Sequence, residues 1–123
     1  MKGSALTEQI ICCAIEVHKH WGPGLYEEIY HKSLNHELQL RNVKVASEVK
    51  LPLLYKGKQV GDDLRVDLIV EDKVVVELKS VKSLEAVHEA QLITYMKLTG
   101  CQIGLLINFN VAVLKQGIRR MVL

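Results

Sequence analysis

The sequence predicts an α/β domain with the element order α-α-β-β-β-α-β-β, and three observations carry that expectation. Residues 6–22, 25–40 and 84–99 read as helices, the first two with apolar side chains at helical spacing. Residues 44–55, 58–70, 73–80 and 102–108 are rich in β-branched residues, as strands are, and a short last strand fits near the C-terminus. Gly22-Pro23-Gly24, Lys56-Gly57-Lys58 and Gly100 supply stops and turns where segments meet.

In chain order, the first helix turns Ile10, Cys13, Ala14 and Val17 inward, with Thr7 placed as its N-cap and Gly22 just past its end. A tight Gly-Pro-Gly corner leads to the second helix, whose inward candidates are Ile29, Leu34 and Leu38. From Val43 the period changes to that of strands, punctuated by Pro52 and by a bend or bulge at Gly61-Asp62-Asp63. A hairpin joins 58–70 to 73–80, and Gly100 closes the third helix.

Composition narrows the class. A chain of 123 residues is the size of one domain, taken here as 1–123, and can bury an ordinary core. With 49% hydrophobic and 24% charged residues it has the profile of a folded globular protein. A net charge of +2 permits nucleic-acid contact without arguing for it. The three cysteines, Cys12, Cys13 and Cys101, are odd in number and two are adjacent, which fits neither a disulfide framework nor a CxxC metal site. They are expected to be reduced core residues of a cytoplasmic protein. No signal peptide is recognised and no apolar run reaches the ~20 residues of a membrane span.

The chemistry concentrates in RVDLIVEDKVVVELKS, residues 65–80. Alternation along strands puts Val66, Leu68 and Val70 on one face and Arg65, Asp67 and Ile69 on the other; in the next strand Glu77 and Lys79 share a face with Val75. If Glu71-Asp72-Lys73 is the loop and Val70 faces Val74, Asp67 falls opposite Glu77, with Cβ atoms about 4.5–5.5 Å apart. Opposed carboxylates repel and are costly to bury, so the pair calls for a cation or a proton. Mg²⁺ accepts carboxylate and carbonyl oxygens, and the Leu78 carbonyl is a third candidate ligand beside Asp67 and Glu77. Lys79 would stand next to such a site. Spacing alone leaves equally open that these charges form a solvated outer face.

Asp67 followed by Glu77-Leu78-Lys79 resembles the signature of the PD-(D/E)xK nuclease superfamily, although Val66 stands where that name has proline. Gly24, Glu27 and Tyr30 form a G-x-x-E-x-x-Y motif, and Gln91 with Tyr95 forms the Q-x-x-x-Y found in RecB-like nucleases. With VHKHWGPG before them and GLLINFNV and GIRR after, they resemble the bacterial GxxExxY family over almost the whole chain. The resemblance implies a restriction-endonuclease-like core, a central mixed sheet flanked by helices. It also implies hydrolysis of phosphodiesters, with DNA the expected substrate and Mg²⁺, or Mn²⁺, the expected cofactor. Asp67 and Glu77 would be metal ligands, Lys79 the catalytic lysine, Glu27 a further acid reaching the site, and Gln91 and Tyr95 residues of a helix lining it. His88 lies three residues before Gln91, on the same side. A domain this small could embrace a duplex as a homodimer.

Taken singly, several of these residues have ordinary readings: Glu27 as a first-turn acid favoured by the helix dipole, Gln91 and Tyr95 as a surface amide and an amphipathic tyrosine. His18 suits packing near the Gly-Pro-Gly corner, and His31 and His36 read as surface residues. The competing function classes are a nuclease-like scaffold that only binds nucleic acid or protein, and a metal-binding structural protein without catalysis.

Overall fold

The computed structural model describes residues 4–123. Two helices come first, α1 (Ser4–Trp21) and α2 (Glu27–Leu40). Strands β1 (Val45–Leu51), β2 (Leu54–Tyr55), β3 (Lys58–Gln59), β4 (Leu64–Val70) and β5 (Val74–Lys79) follow. The chain ends with α3 (Ala86–Thr99), β6 (Ile103–Asn108), a 3-10 turn at Leu114–Gly117 and β7 (Ile118–Val122).

Five strands make a mixed sheet in the order β1-β4-β5-β6-β7. All neighbours are antiparallel except β5 and β6, which run parallel with Val74 opposite Ile103 and Lys79 opposite Asn108. A parallel pair needs a crossover, and α3 provides it. Strands β5 and β6 lie in the middle, buried on both faces, which is why their sequences run almost continuously apolar.

Helices cover both sides. Ile10, Ala14 and Val17 of α1 and Tyr30, Leu34 and Leu38 of α2 pack with Leu68, Val76 and Leu105. On the opposite face Leu92, Tyr95 and Met96 of α3 pack with Val75 and Leu106. Gly104 lets α3 lie close to the sheet, since a Cβ there would stand 2.6 Å from the Met96 sulfur and 3.0 Å from Leu92 Cδ1. No helix among the described residues is long and apolar enough to cross a membrane.

The structure departs from the sequence-based expectations in several places, each with a local cause. The segments 44–55 and 58–70 are each split: β1 ends at Leu51, where Pro52 has no N–H for a ladder, and the chain bends at Gly61 and Asp62 before β4. The excised pieces pair with each other as the separate hairpin β2–β3. Thr7 is a buried residue inside α1 rather than its cap. Ile29 is 38% exposed, because Tyr30, Leu34 and Leu38 at four-residue spacing occupy the inward face of α2. Cys13 and Cys101 are buried, but Cys12 faces outward; all three are free thiols.

The corner between α1 and α2 is tied to the sheet. The Tyr30 hydroxyl donates to the Gly22 carbonyl and accepts the Leu25 N–H, while its ring stacks on Phe109 at 4.4 Å between centroids. Ser80, just past β5, donates from Oγ to the Leu25 carbonyl at 2.6 Å. The first turn of α2 is thereby fastened beside the end of β5. Gly24, at φ +101°, takes a backbone conformation open to glycine and rarely to other residues.

Candidate active site

The hairpin register is the expected one, with Val70 opposite Val74 and Leu68 opposite Val76. Backbone pairing stops there, one step short of Asp67 and Glu77, and side chains take over. The Asp67 N–H donates to Glu77 Oε1 at 2.8 Å, and the Leu78 N–H donates to Asp67 Oδ2 at 2.8 Å. Each carboxylate thus satisfies a backbone donor of the facing strand, which the ladder leaves unpaired.

The interruption coincides with a change of face. Val45, Leu68 and Val70 pack under α1 and α2, whereas Val49, Val66 and Leu64 pack under α3. Strict alternation would have kept Val66 with Leu68, so that expectation is corrected. The β1–β4 register stays constant, Ser47 opposite Leu68 and Val49 opposite Val66, with Glu48 and Asp67 between them. Glu48 has φ +54°, the left-handed kink that reverses the sides. Asp67 therefore sits at the twist where two strands exchange cores.

Glu77 is 4% exposed, and burial together with the neighbouring Asp67 carboxylate pushes its pKa up to about 8. The Asp67 backbone N–H and Lys79 oppose that rise, and Glu27 adds to it. Lys79 donates from Nζ to Gln91 Oε1 at 3.3 Å, so β5 and α3 meet at this contact. Tyr95, 4% exposed, is one helical turn on from Gln91. Burial raises its pKa, the Glu77 and Asp67 carboxylates raise it further, and a hydrogen bond with Gln91 opposes them. Leu78 buries its side chain under α1 and α2 and offers only its backbone to the site.

Glu27 opens α2 and lines a cleft of about 340 Å³ together with Glu28, His31, Glu48, Arg65 and Asp67. His31 is not the surface residue expected from sequence. It is buried, its Nε2 lies 2.8 Å from Ser47 Oγ, and its Nδ1 lies 4.0 Å from Asp67 Oδ1. Its position four residues after Glu27, on the same side of α2, was the signal available in the sequence.

Two other histidines have structural work. His88 accepts the Glu85 N–H on Nδ1 at 3.0 Å, a capping bond at the start of α3. His18 bonds through Nε2 to the Val111 carbonyl at 2.9 Å, which makes that nitrogen the protonated one, and packs near Phe109. His36 is exposed.

Among the described residues no three His, Cys, Asp or Glu side chains converge to hold a metal on their own. The pair Asp67 and Glu77 nonetheless has the chemistry a hard divalent cation requires. Each uses one oxygen for a backbone N–H, which leaves Asp67 Oδ1 and Glu77 Oε2 as the oxygens that would engage a cation. Mg²⁺ commonly takes one or two carboxylates and completes its shell with water and substrate.

The model of the PD-(D/E)XK nuclease superfamily matches residues 4–121 of the chain. The chain is also similar to the crystal structure of SSO0001, at 26% identity and a TM-score of 0.53, over 76% of this chain and 48% of the other. It thus spans about half the length of that protein. No curated protein shows significant sequence similarity.

Proposed function

The chain belongs to the PD-(D/E)XK nuclease superfamily, and from that premise we propose that it is a divalent-metal-dependent nuclease acting on DNA, of the GxxExxY type. Members of the superfamily generally use divalent metal ions and act on nucleic acid. The observation that carries the reading is the opposed, nearly buried Asp67–Glu77 pair with Lys79 beside it. A fold that spent these carboxylates only on two backbone N–H groups could have used neutral side chains and avoided the repulsion.

Asp67, Glu77 and the Leu78 carbonyl would hold Mg²⁺, with Mn²⁺ a substitute of similar chemistry. When bound, the ion would neutralise the acidic pair and supply Lewis-acid stabilisation of charge developing on the scissile phosphate. Glu77, whose raised pKa favours the protonated form, would have to release that proton to act as a ligand. The Lys79 ammonium orients the attacking water and faces the phosphate, and Gln91 holds that ammonium from α3. Tyr95 hydrogen-bonds Gln91 and so limits the angles Gln91 can adopt. Glu27, fixed at the start of α2 by the Tyr30 and Ser80 bonds, adds an acidic wall to the cleft.

Calorimetric titration of Mg²⁺ and Mn²⁺ into wild-type and Glu77→Ala protein, with cleavage of labelled DNA on the same samples, tests the reading. Wild type is expected to bind metal and cut, and the variant to do neither. A wild type that binds metal but leaves every DNA form intact would instead make this a structural metal site.

A further inference from the structure

The hairpin β2–β3 stands apart from both cores. Every residue from 54 to 63 is exposed, and neither strand contributes to the packed clusters. An isolated two-stranded hairpin is marginal in water, yet this one is well specified. Leu54 pairs with Gln59 and Tyr55 with Lys58, across a turn in which Lys56 (φ +48°) and Gly57 (φ +85°) are both left-handed, as a type I′ turn requires. Its base is braced by the Val60 N–H donating to the Leu53 carbonyl and by Gln59 donating to the Gly61 carbonyl and Asp63.

What it presents is an aromatic ring among cations. Tyr55 is 62% exposed, and its cross-strand partner Lys58 stands on the same face. The Lys56 ammonium lies 5.4 Å from the centroid of the Tyr55 ring. From Lys50 to Val60 the chain carries three lysines and no acid. An exposed aromatic face flanked by ammonium groups matches the requirements of a nucleic-acid strand, whose bases stack and whose phosphates are anionic.

Its place in the fold connects it to the cleft. Lys50 pairs with Arg65, Leu51 with Leu64, and Arg65 lines the same cleft as Asp67. Asp67 is three residue steps from Leu64, Leu51 is four from Tyr55, and the crossing between the paired strands adds one inter-strand spacing, so the path is at most ~28 Å. That is roughly eight nucleotides at the ~3.4 Å spacing of stacked bases.

We propose that the β2–β3 hairpin grips a single-stranded segment of the nucleic acid, with Tyr55 stacking on an unpaired base and Lys56 and Lys58 holding the flanking phosphates. This rests on the nuclease reading and adds to it a strand preference: a base inside a duplex offers no free face to Tyr55, whereas an unpaired base does.

The test uses fluorescence anisotropy in EDTA, so that no strand is cut, with a labelled 20-mer as single-stranded DNA, single-stranded RNA and duplex DNA. Tyr55→Ala should weaken the single-stranded complex about tenfold and the duplex less than twofold, and Tyr55→Trp should retain affinity. Lys56→Ala with Lys58→Ala should lower the salt dependence of single-strand binding by roughly 1.4 log units per log unit of salt, at ~0.7 per phosphate contact. The DNA and RNA arms identify the sugar, and the expected loss with either supports the proposal. Unchanged single-strand affinity in Tyr55→Ala overturns it, and metal-dependent cleavage by the same protein would show that the nuclease reading survives. Loss of self-association in Tyr55→Ala without a change in strand affinity also overturns it, because the patch is then a protein contact. A wild type that binds no probe overturns it too, and its cleavage assay with metal decides the nuclease reading separately.

Discussion

Glu77 reaches across the hairpin to accept the backbone N–H of Asp67, the residue it opposes, at 2.8 Å. Two acidic residues are thus held together by a bond from the backbone of one to the side chain of the other. The arrangement is stable as a neutral acid beside a carboxylate, and becomes strained when both are ionised.

The pH dependence of the metal-free protein follows. Glu77 has its pKa raised from 4.5 to about 8 in the folded state by burial and by Asp67. Between those values the folded protein keeps a proton that the unfolded chain has released, so folding is favoured by acid. The stabilisation is complete below about pH 4.5 and is lost as pH rises through about 8. Urea unfolding in EDTA at pH 6 and pH 9 should show a drop on the order of a few kcal/mol at the higher pH. Glu77→Gln, which keeps an acceptor for the Asp67 N–H, should remove this dependence.

Glu77→Ala and Asp67→Ala differ from their amide counterparts. Either alanine leaves a backbone N–H at the interrupted ladder without its side-chain acceptor. Each should cost about 1–3 kcal/mol relative to the Gln or Asn variant, measured by denaturant unfolding at pH 6. Equal stability of Asp67→Ala and Asp67→Asn would show that the Leu78 N–H finds another acceptor.

Lys79→Met should abolish most cleavage, by roughly 100–1,000-fold in kcat, the range for loss of one preorganised charge-stabilising group. Metal affinity, read by calorimetry, should change far less, because Lys79 is not a ligand in this scheme. Gln91→Ala should have a smaller effect of the same kind, since it frees the Lys79 ammonium without removing it.

Tyr30→Phe removes one hydroxyl that joins the Gly22 carbonyl and the Leu25 N–H, and leaves the stacking on Phe109. A loss of about 1–2 kcal/mol in unfolding free energy is expected. Cleavage measured well below the melting temperature should also fall, because the same hydroxyl fixes the turn from which Glu27 projects.

Gly104→Ala should destabilise by about 1–3 kcal/mol through overpacking against Met96 and Leu92. Met96→Ala in the same chain should recover part of that loss, which thermal melts of the single and double variants would reveal.

Much of this was legible in the sequence where local rules decide the outcome. The register around Asp67 and Glu77 follows from a three-residue loop and a pair of valines, and the helix α3 from a run closed by Gly100. What escaped was decided by contacts remote in the chain. His31 has no partner in its own neighbourhood, since Ser47 and Asp67 come from two strands beyond it. Val66 follows alternation on paper and breaks it in the fold, because the kink belongs to Glu48 on the adjacent strand. In the sequence the hairpin β2–β3 looks like the ends of two longer strands, since composition does not reveal where pairing partners change.

The exchange of cores at Glu48 and Asp67 makes one strand answer to two helical layers. Tightening or loosening either layer should rotate the same peptide plane, and with it the carboxylate it carries. Leu34 of α2, in one layer, and Leu92 of α3, in the other, face opposite sides of the sheet. They are nevertheless expected to be thermodynamically coupled in a double-mutant cycle on metal affinity, with Asp67 as the shared lever.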